Sequence, residues 1–438
     1  MSINADLTEF IEAHSAPPVG MKFYSSRESV KADPRLLGYV SAIERAWSEM
    51  GLKGVLCLDG RPVLYLKEHG TQFSTTERIK LQRLFWNQGI ANVLVLADPT
   101  TVYIYSGLAK PLKDLPDEEA LVDTLVKVEY TNKIQSFFHG LATGNYYETK
   151  QAHFDQEKSV DKYLLKNLEA LRNRLIEGRG KLKIQEAHAF IGRVLFLCYL
   201  LDRGIYKGVG TKPGLTGTAD LLKELDGRQQ SERVNYLYDL FNDLKEKFNG
   251  NMFDQDLDAE ERFAQNDPSR LDYLVQFLGG HNVGSKQITL GFWAYDFNMI
   301  PVETISAIYQ DFLAKEDPER QQKRGAIYTP RFLAEMVVDM AMQDNPDALK
   351  WSYLDPSCGS GIFLVILFNR LATRWVLDHP KRHYITTASK LQEILKHQIR
   401  SQSQSSLKFE VAPLSWFTRR PLPPVSRLRF SVPFSAQA

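Results

Sequence analysis

The stretch YLDPSCGSGIFLV, residues 353–365, constrains the fold of this 438-residue chain more than any other feature. An apolar strand is predicted to end at Leu354, and two glycines separate it from an apolar helix. Glycine permits a sharp turn and lets the backbone approach a ligand closely. Asp355 stands at the carboxyl end of the strand, where open α/β sheets bind their ligands. The stretch predicts a strand–loop–helix unit of the kind that holds a cofactor, although two glycines alone also fit a plain turn.

The composition indicates an ordinary globular chain. Hydrophobic residues make up 43% and charged residues 24%, and the net charge is +1, so contact with nucleic acid would need a local patch. The three cysteines, Cys57, Cys198 and Cys358, are far apart and odd in number, which favours a reduced cytoplasmic compartment over disulfides or a zinc cluster. No metal site is predicted. The N-terminus lacks an apolar signal core and no apolar run is judged long enough to cross a membrane, so no membrane association is predicted.

The apolar pattern divides the chain into regions of different texture. Short apolar runs separated by turns predict a small mixed α/β module, and longer amphipathic segments predict a helical domain after it. Within that domain, AHAFIGRVLFLCYLLDRGIY carries apolar residues on nearly all faces and predicts a buried helix. The predicted regions are an N-terminal arm (1–37), the α/β module (38–112), the helical domain (113–294), the start of a further α/β domain (295–400) and an atypical tail (401–438).

The tail differs from the rest of the chain in composition. It holds eight serines, five prolines and five basic residues against one acid, without a clear period. No glycine follows Gly361, although α/β folds use glycine at turns and helix ends. The tail is therefore predicted to be unstructured.

A second stretch, GAIYTPRFLAEMVVDMA, lies about 25 residues upstream of the first. Together the two stretches resemble the amino-group DNA methyltransferases, the adenine-specific enzymes of type I and type IIG restriction–modification systems. The resemblance covers roughly residues 40 to 400. It implies the beginning of a partial Rossmann-like methyltransferase domain, S-adenosylmethionine as cofactor and double-stranded DNA as partner. It also allows a partner subunit from a restriction–modification system.

In that family, a Tyr-Thr-Pro loop and an Asp-Pro-x-x-Gly-x-Gly-x-Phe loop hold S-adenosylmethionine. By resemblance, the Tyr-Thr-Pro turn and the aspartate contact the methionine end, the glycines let the backbone meet the cofactor, and the phenylalanine packs beneath it. The cofactor-binding positions that follow from the resemblance are Tyr328, Thr329, Pro330, Asp355, Pro356, Cys358, Gly359, Ser360, Gly361 and Phe363.

The resemblance also implies a catalytic Asn-Pro-Pro-Tyr motif, which this chain lacks. In such enzymes the motif holds the amine of a flipped adenine and stacks an aromatic ring on the base. The stretches NPDA at Asn345 and NDPS at Asn266 lack the second proline and the aromatic residue. The acid expected to bind the cofactor ribose is also missing at Ser401 to Ser403. No catalytic residue is assigned, the chain alone is predicted to be inactive, and a truncation or frameshift near residue 400 is our hypothesis.

Two other functions stay open at this point. Related methylases that share the cofactor loop act on RNA or on a protein glutamine, so the substrate could belong to either class. The chain could also be a non-catalytic DNA-binding or regulatory subunit that uses its helical domain as a platform. The basic loop ERQQKRG before Tyr328 fits a phosphate contact and a solvated loop equally well.

An N-terminal nuclease is a further alternative, because type IIG enzymes usually carry one. Asp59 and Lys67 have a suggestive spacing for a magnesium-dependent nuclease, but the position of the required glutamate is Tyr65. Asp59-Gly60 is more simply a hairpin turn, so the α/β module is degenerate and nuclease-like at best. Asp202 and Arg203 are interpreted as a structural ion pair at a helix end.

Overall fold

The computed structural model describes residues 6–110, 120–177, 182–208, 214–248, 267, 270–281, 283, 295–305, 329, 331–342, 347–356 and 361–401. The chain divides into two compact units. The first unit comprises residues 1–164 and 299–305, and the second comprises residues 165–298 and 306–438.

A six-stranded sheet organises the first unit, with the strands in the order β1-β2-β3-β4-β5-β6. All neighbouring strands are antiparallel except β3 and β4, which are parallel. The strands are β1 (Met21–Tyr24), β2 (Gly54–Leu58), β3 (Arg61–Glu68), β4 (Val93–Ala97), β5 (Thr101–Ser106) and β6 (Leu121–Val126). The helices are α1 (Leu7–His14), α2 (Arg27–Ala32), α3 (Val40–Met50), α4 (Thr75–Gln88), α5 (Lys127–Thr143) and α6 (Asn145–Thr149).

The crossover from β3 to β4 has clear causes in the sequence. Ser74 and Glu77 form a capping box that begins α4, and Gly89, with φ +56°, ends it. The strand that follows, VLVLA, is buried at every position, as expected for a strand covered on both faces. Parallel strands need a crossover of this kind, so α4 places β4 beside β3.

The sheet extends beyond the predicted module of residues 38–112 at both ends. The strand β1 lies within the predicted N-terminal arm, and β6 lies within the predicted helical domain. The arm also contains α1, whose first turn is held by Glu68: this carboxylate accepts the backbone N–H groups of Leu7 at 2.6 Å and Thr8 at 3.0 Å. Strands of four and six residues with mixed polarity carry too little alternation to be recognised from sequence.

The second unit contains a group of helices before residue 298. The first helix, α7 (Val160–Ile176), begins just before this unit. Those that follow within the described residues are α8 (Ile184–Asp202), α9 (Thr218–Asp226), α10 (Gln230–Phe248) and α11 (Leu271–Leu278). The prediction of a buried helix is confirmed for α8, since nearly every position from Ala187 to Leu201 is buried. By length and mean hydropathy alone, α8 passes as a candidate membrane span. Because 78% of its most apolar window is buried inside the protein, it is better explained as a core helix.

Two of the cysteines are buried, one in each unit. Cys57 lies on β2, and burial raises its pKa to about 12. Cys198 lies on α8, where burial raises the pKa of the thiol well above its usual range. Neither thiol has the lowered pKa of a reactive cysteine. Cys358 lies outside the described residues.

The rest of the second unit is a small α/β assembly. Its elements are α12 (Arg331–Met342), β7 (Tyr353–Asp355), α13 (Ile362–Asp378), α14 (Tyr384–Glu393), a π-helical turn (Ile394–Gln398) and β8 (Ile399–Ser401). The strands β7 and β8 pair in parallel, with Tyr353 opposite Ile399 and Asp355 opposite Ser401. A core built from α12, α13, α14 and the π-helical turn packs against one face of this pair. The predicted tail lies outside the described residues from residue 402 onwards.

Candidate cofactor site

The strand and the helix of the unit predicted from the sequence are both present. The strand β7 ends at Asp355, and α13 begins at Ile362, directly after Gly361. Gly361 has φ +84° and ψ 19°, which is left-handed backbone. Only glycine adopts this conformation without strain, so the second glycine of the stretch is needed for the turn into α13. The residues 357–360 lie outside the described residues.

Gly361 is buried. Among the described residues, a Cβ atom built there would meet only the Leu364 Cδ1 atom, at 4.0 Å. The positive φ is the feature that requires glycine at this position.

Asp355 provides the charged group at this edge of the sheet. It is the last residue of β7, it is half-buried, and its partner in the register is Ser401, the last residue of β8. The carboxyl ends of the two parallel strands therefore lie side by side, which is where α/β sheets bind ligands. Pro356 follows in an exposed turn. Residues 402 and 403, where the family would place a ribose-binding acid, lie outside the described residues.

Phe363 lies in the first turn of α13 and is half-buried. Its side chain packs against the apolar core that α12 and α13 share, which includes Ala334 and Ile366. The ring is thus held by the protein on one side and remains partly accessible on the other. This placement is compatible with the role of a packing residue beneath a cofactor.

The Tyr-Thr-Pro stretch is joined to the glycine stretch through α12. Thr329 is half-buried just before α12, while Tyr328 and Pro330 lie outside the described residues. The helix α12 is fixed to α13 by Arg370, which donates to both carboxylate oxygens of Asp339, at 2.8 and 3.3 Å. The Arg370 side chain is only 3% exposed, so the arginine of this ion pair is shielded from water, whereas Asp339 is about half exposed. The structure thereby holds the two motif-bearing helices in one core.

The Arg370–Asp339 pair was not found from the sequence. The two residues are 31 positions apart and lie on different helices, so no helical spacing connects them. The sequence offered one signal for such a pair: the charged residues Glu335 and Arg370 occur within apolar helices, and buried charges are normally paired. Glu335 accepts a hydrogen bond from Arg331 Nε at 2.9 Å.

The remaining predicted cofactor residues are not tested. Cys358, Gly359 and Ser360 lie outside the described residues. Of the ten predicted positions, the structure describes Thr329, Asp355, Pro356, Gly361 and Phe363. In the described ranges, no group of three or more His, Cys, Asp or Glu side chains could hold a metal ion.

The nuclease alternative is contradicted by the geometry of the first unit. Asp59 lies in the β2–β3 turn with φ +46°, whereas Lys67 lies near the far end of β3, roughly 20 Å away at the rise of a strand. Tyr65, at the position of the required glutamate, is fully buried, and burial raises the pKa of its hydroxyl far above the usual range. Lys67 Nζ donates to the Gly51 carbonyl at 3.2 Å. Asp59 is therefore a turn residue, and the two charges do not form one site.

Asp202 and Arg203 have a structural role, in which their side chains form hydrogen bonds to backbone groups. Asp202 accepts the backbone N–H groups of Thr218 at 2.6 Å and Phe297 at 2.9 Å. Arg203 Nε donates to the carbonyl of the same Phe297 at 3.3 Å. The two side chains together hold the segment around Phe297 against the end of α8. Burial raises the pKa of Asp202 to about 6.

One comparison with known proteins gives a match. The family model described as N-6 DNA Methylase matches residues 302–388. No curated protein and no solved structure matches the chain. The matched range includes the stretch around Thr329, the strand β7 and the turn at Gly361. The match therefore supports an adenine-N6 DNA methyltransferase family for residues 302–388 of this chain.

Proposed function

We propose that residues 295–401 are the S-adenosylmethionine-binding part of an adenine-specific DNA methyltransferase of the type IIG-like kind. The observation that carries this proposal is the turn at Gly361, because it joins β7 to α13 inside the range matched by the N-6 DNA Methylase model. The substrate would be double-stranded DNA in a restriction–modification system. The family match favours DNA over RNA or protein as the methyl acceptor.

The described residues fit this cofactor. The Asp355 carboxylate, at the end of β7, can accept hydrogen bonds from the cofactor ammonium group. Phe363 would contribute an apolar surface against the cofactor from its position on the core. When bound, S-adenosylmethionine supplies an electrophilic methyl group to the attacking amine.

We further propose that this chain alone binds the cofactor but does not transfer the methyl group. No Asn-Pro-Pro-Tyr sequence occurs in its 438 residues. Without that motif, the side-chain oxygen and the aromatic ring that position a flipped adenine are missing. Methyl transfer would then require a segment that supplies the motif.

Binding of isotope-labelled S-adenosylmethionine to the full chain tests the proposal. Asp355→Ala should weaken binding at least about tenfold, because a hydrogen bond to a charged group contributes about 1.5–3 kcal/mol. Asp347→Ala is the matched control, since this carboxylate is 56% exposed and pairs with Lys350 on the surface. It should leave the affinity unchanged.

Two results would count against the proposal. Equal affinities for the Asp355→Ala and unmodified chains would remove Asp355 from the cofactor site. Transfer of labelled methyl groups to unmodified duplex DNA by the purified chain would show that the missing motif is not required.

A further inference from the structure

The second unit carries a concentration of exposed positive charge after α13. Residues 379–400 contain five lysines or arginines and only one acid, although the net charge of the whole chain is +1. Four of these cations are exposed and form what we call the cationic stripe: Lys381, Arg382, Lys396 and Arg400.

The cations of the stripe differ from their neighbours in lacking acidic partners. Nearby, Arg374 pairs with Asp378 and Lys390 pairs with Glu393. Among the residues that the structure describes, no carboxylate lies within ion-pair distance of any stripe cation. Their charge is therefore left available to an external anion.

The position of two stripe residues is not explained by helix stability. Lys381 and Arg382 lie just before α14, and α14 has no acid in its first turn. Cations at a helix N-terminus are unfavourable because they add to the positive end of the helix dipole. Lys396, near the other end, is favourably placed by the same argument, so only the first pair needs another explanation.

The length of the stripe suits a duplex. Lys381 and Lys396 are separated by α14 and the first two residues of the π-helical turn, a distance of roughly 20 Å at the rise of a helix. The major groove of DNA is about 12 Å wide and carries phosphates on both sides. Cations at the two ends of the stripe can therefore contact phosphates on both sides of a groove.

One end of the stripe lies beside the candidate cofactor site. Arg400 on β8 is paired in the register with Leu354, one residue before Asp355. Adjacent strands are about 4.8 Å apart, so a phosphate held by Arg400 would lie near the carboxyl edge of β7. The side chain of Leu354 is 60% exposed, which shows that this face of the strand pair is open.

A membrane surface fits the stripe less well than DNA. Helices that bind membranes present large apolar side chains beside their cations. On α14 and the π-helical turn, Leu391 and Ile394 are buried in the core, whereas Thr386 and Ser389 are exposed. We propose that the cationic stripe binds the phosphate backbone of duplex DNA, with Arg400 holding it beside the end of β7. The choice of DNA rests on the proposed function.

The test is the affinity of the full chain for a fluorescent duplex several helical turns long, measured over a range of salt concentrations without cofactor. Replacing the four stripe cations with glutamine should weaken duplex binding at least about tenfold. The slope of log affinity against log salt concentration should also fall, by about one for each phosphate that the variant no longer binds. The matched control replaces four exposed lysines that pair with acids, and it should leave binding unchanged. The control variant is Lys133→Gln, Lys183→Gln, Lys223→Gln and Lys247→Gln.

The outcomes separate this inference from the proposed function. Three results would contradict the proposal that the stripe binds DNA: an equal loss of duplex affinity in both variants, no loss of affinity in the stripe variant, or no duplex binding by the unmodified chain. Cofactor binding is measured in parallel on the same variants and should be unchanged. If the chain binds duplex DNA through the stripe but does not bind S-adenosylmethionine, the result would count against the methyltransferase proposal alone. Hydrogen exchange in α14 verifies that the stripe variant is folded.

Discussion

Gly361 shows how a single residue fixes the geometry at the candidate site. Its left-handed backbone turns the chain into α13. Glycine is needed at this position because of the backbone conformation. A pattern of two glycines was enough to predict a turn, but it could not show that Gly361 has a positive φ.

Gly361→Ala should destabilise the start of α13 by about 1 kcal/mol, because an alanine is strained at this φ. Hydrogen exchange of peptides from α13 measures the effect. Gly144→Ala should give a similar loss at the end of α5, since Gly144 has φ +85° and nothing near its Cβ position. Gly70→Ala, outside the left-handed region, should give none. Slow exchange retained in the Gly361→Ala chain would contradict the prediction.

At the scale of elements, the joint between α12 and α13 includes an ion pair whose arginine is buried. Asp339 is half-exposed, but its partner Arg370 is buried, so removing the acid leaves a buried cation with less compensation. The two helices also share an apolar core, which would keep them associated without the pair.

Asp339→Asn should weaken the joint by about 1–3 kcal/mol, the usual effect of leaving a buried polar group without its partner. Faster hydrogen exchange in α12 would report the loss. Asp378→Asn is a matched control on α13, because Asp378 accepts from Arg374 Nε in an exposed pair. Exposed pairs contribute about 0–1 kcal/mol, so exchange should change little. A larger effect in the control than in Asp339→Asn would refute our account of the joint.

Elements with long or continuous apolar patterns could be predicted from the sequence. This holds for α8 and α13, and the three-residue strand β7 was predicted from the glycines that follow it. A short element without such a signal could not be predicted: the four residues of β1 show no usable alternation and pair with β2 only through the tertiary fold. The spacing of Asp59 and Lys67 had suggested a nuclease site only weakly, and the hairpin turn preferred for Asp59-Gly60 agrees with the structure.

The candidate site was only partly predictable. The glycine turn and Asp355 follow from local sequence, because they belong to one continuous stretch. The contact between Arg370 and Asp339 depends on how two helices pack, and the cationic stripe depends on which side chains face solvent. Neither property is encoded by a local pattern, so only the structure reveals them.

At the scale of the whole molecule, Asp202 links segments of the second unit that are far apart in the chain. It joins α8, the start of α9 and the segment around Phe297 through hydrogen bonds to backbone N–H groups. Burial, supported by the nearby charge of Asp296, raises its pKa from 3.8 to about 6, while the two N–H donors oppose the shift. The folded state therefore favours the protonated form more than the unfolded state does.

This pKa predicts how stability depends on pH. Between about pH 4 and pH 6 the folded chain binds more protons at Asp202 than the unfolded chain, so this contribution to stability falls as pH rises. The difference amounts to roughly 2–3 kcal/mol at about 1.4 kcal/mol per unit. Denaturant unfolding of the unmodified chain and Asp202→Asn should show this slope only in the former. A slope that persists in Asp202→Asn would assign the effect to another group.

The two buried cysteines give each unit its own reporter of opening. A buried thiol with a raised pKa reacts with an alkylating reagent only after the surrounding structure opens. With Cys358 replaced by serine, labelling at Cys57 would follow the first unit and labelling at Cys198 would follow the second. The rates under native conditions would then show whether the two units open together or one at a time, without any added probe.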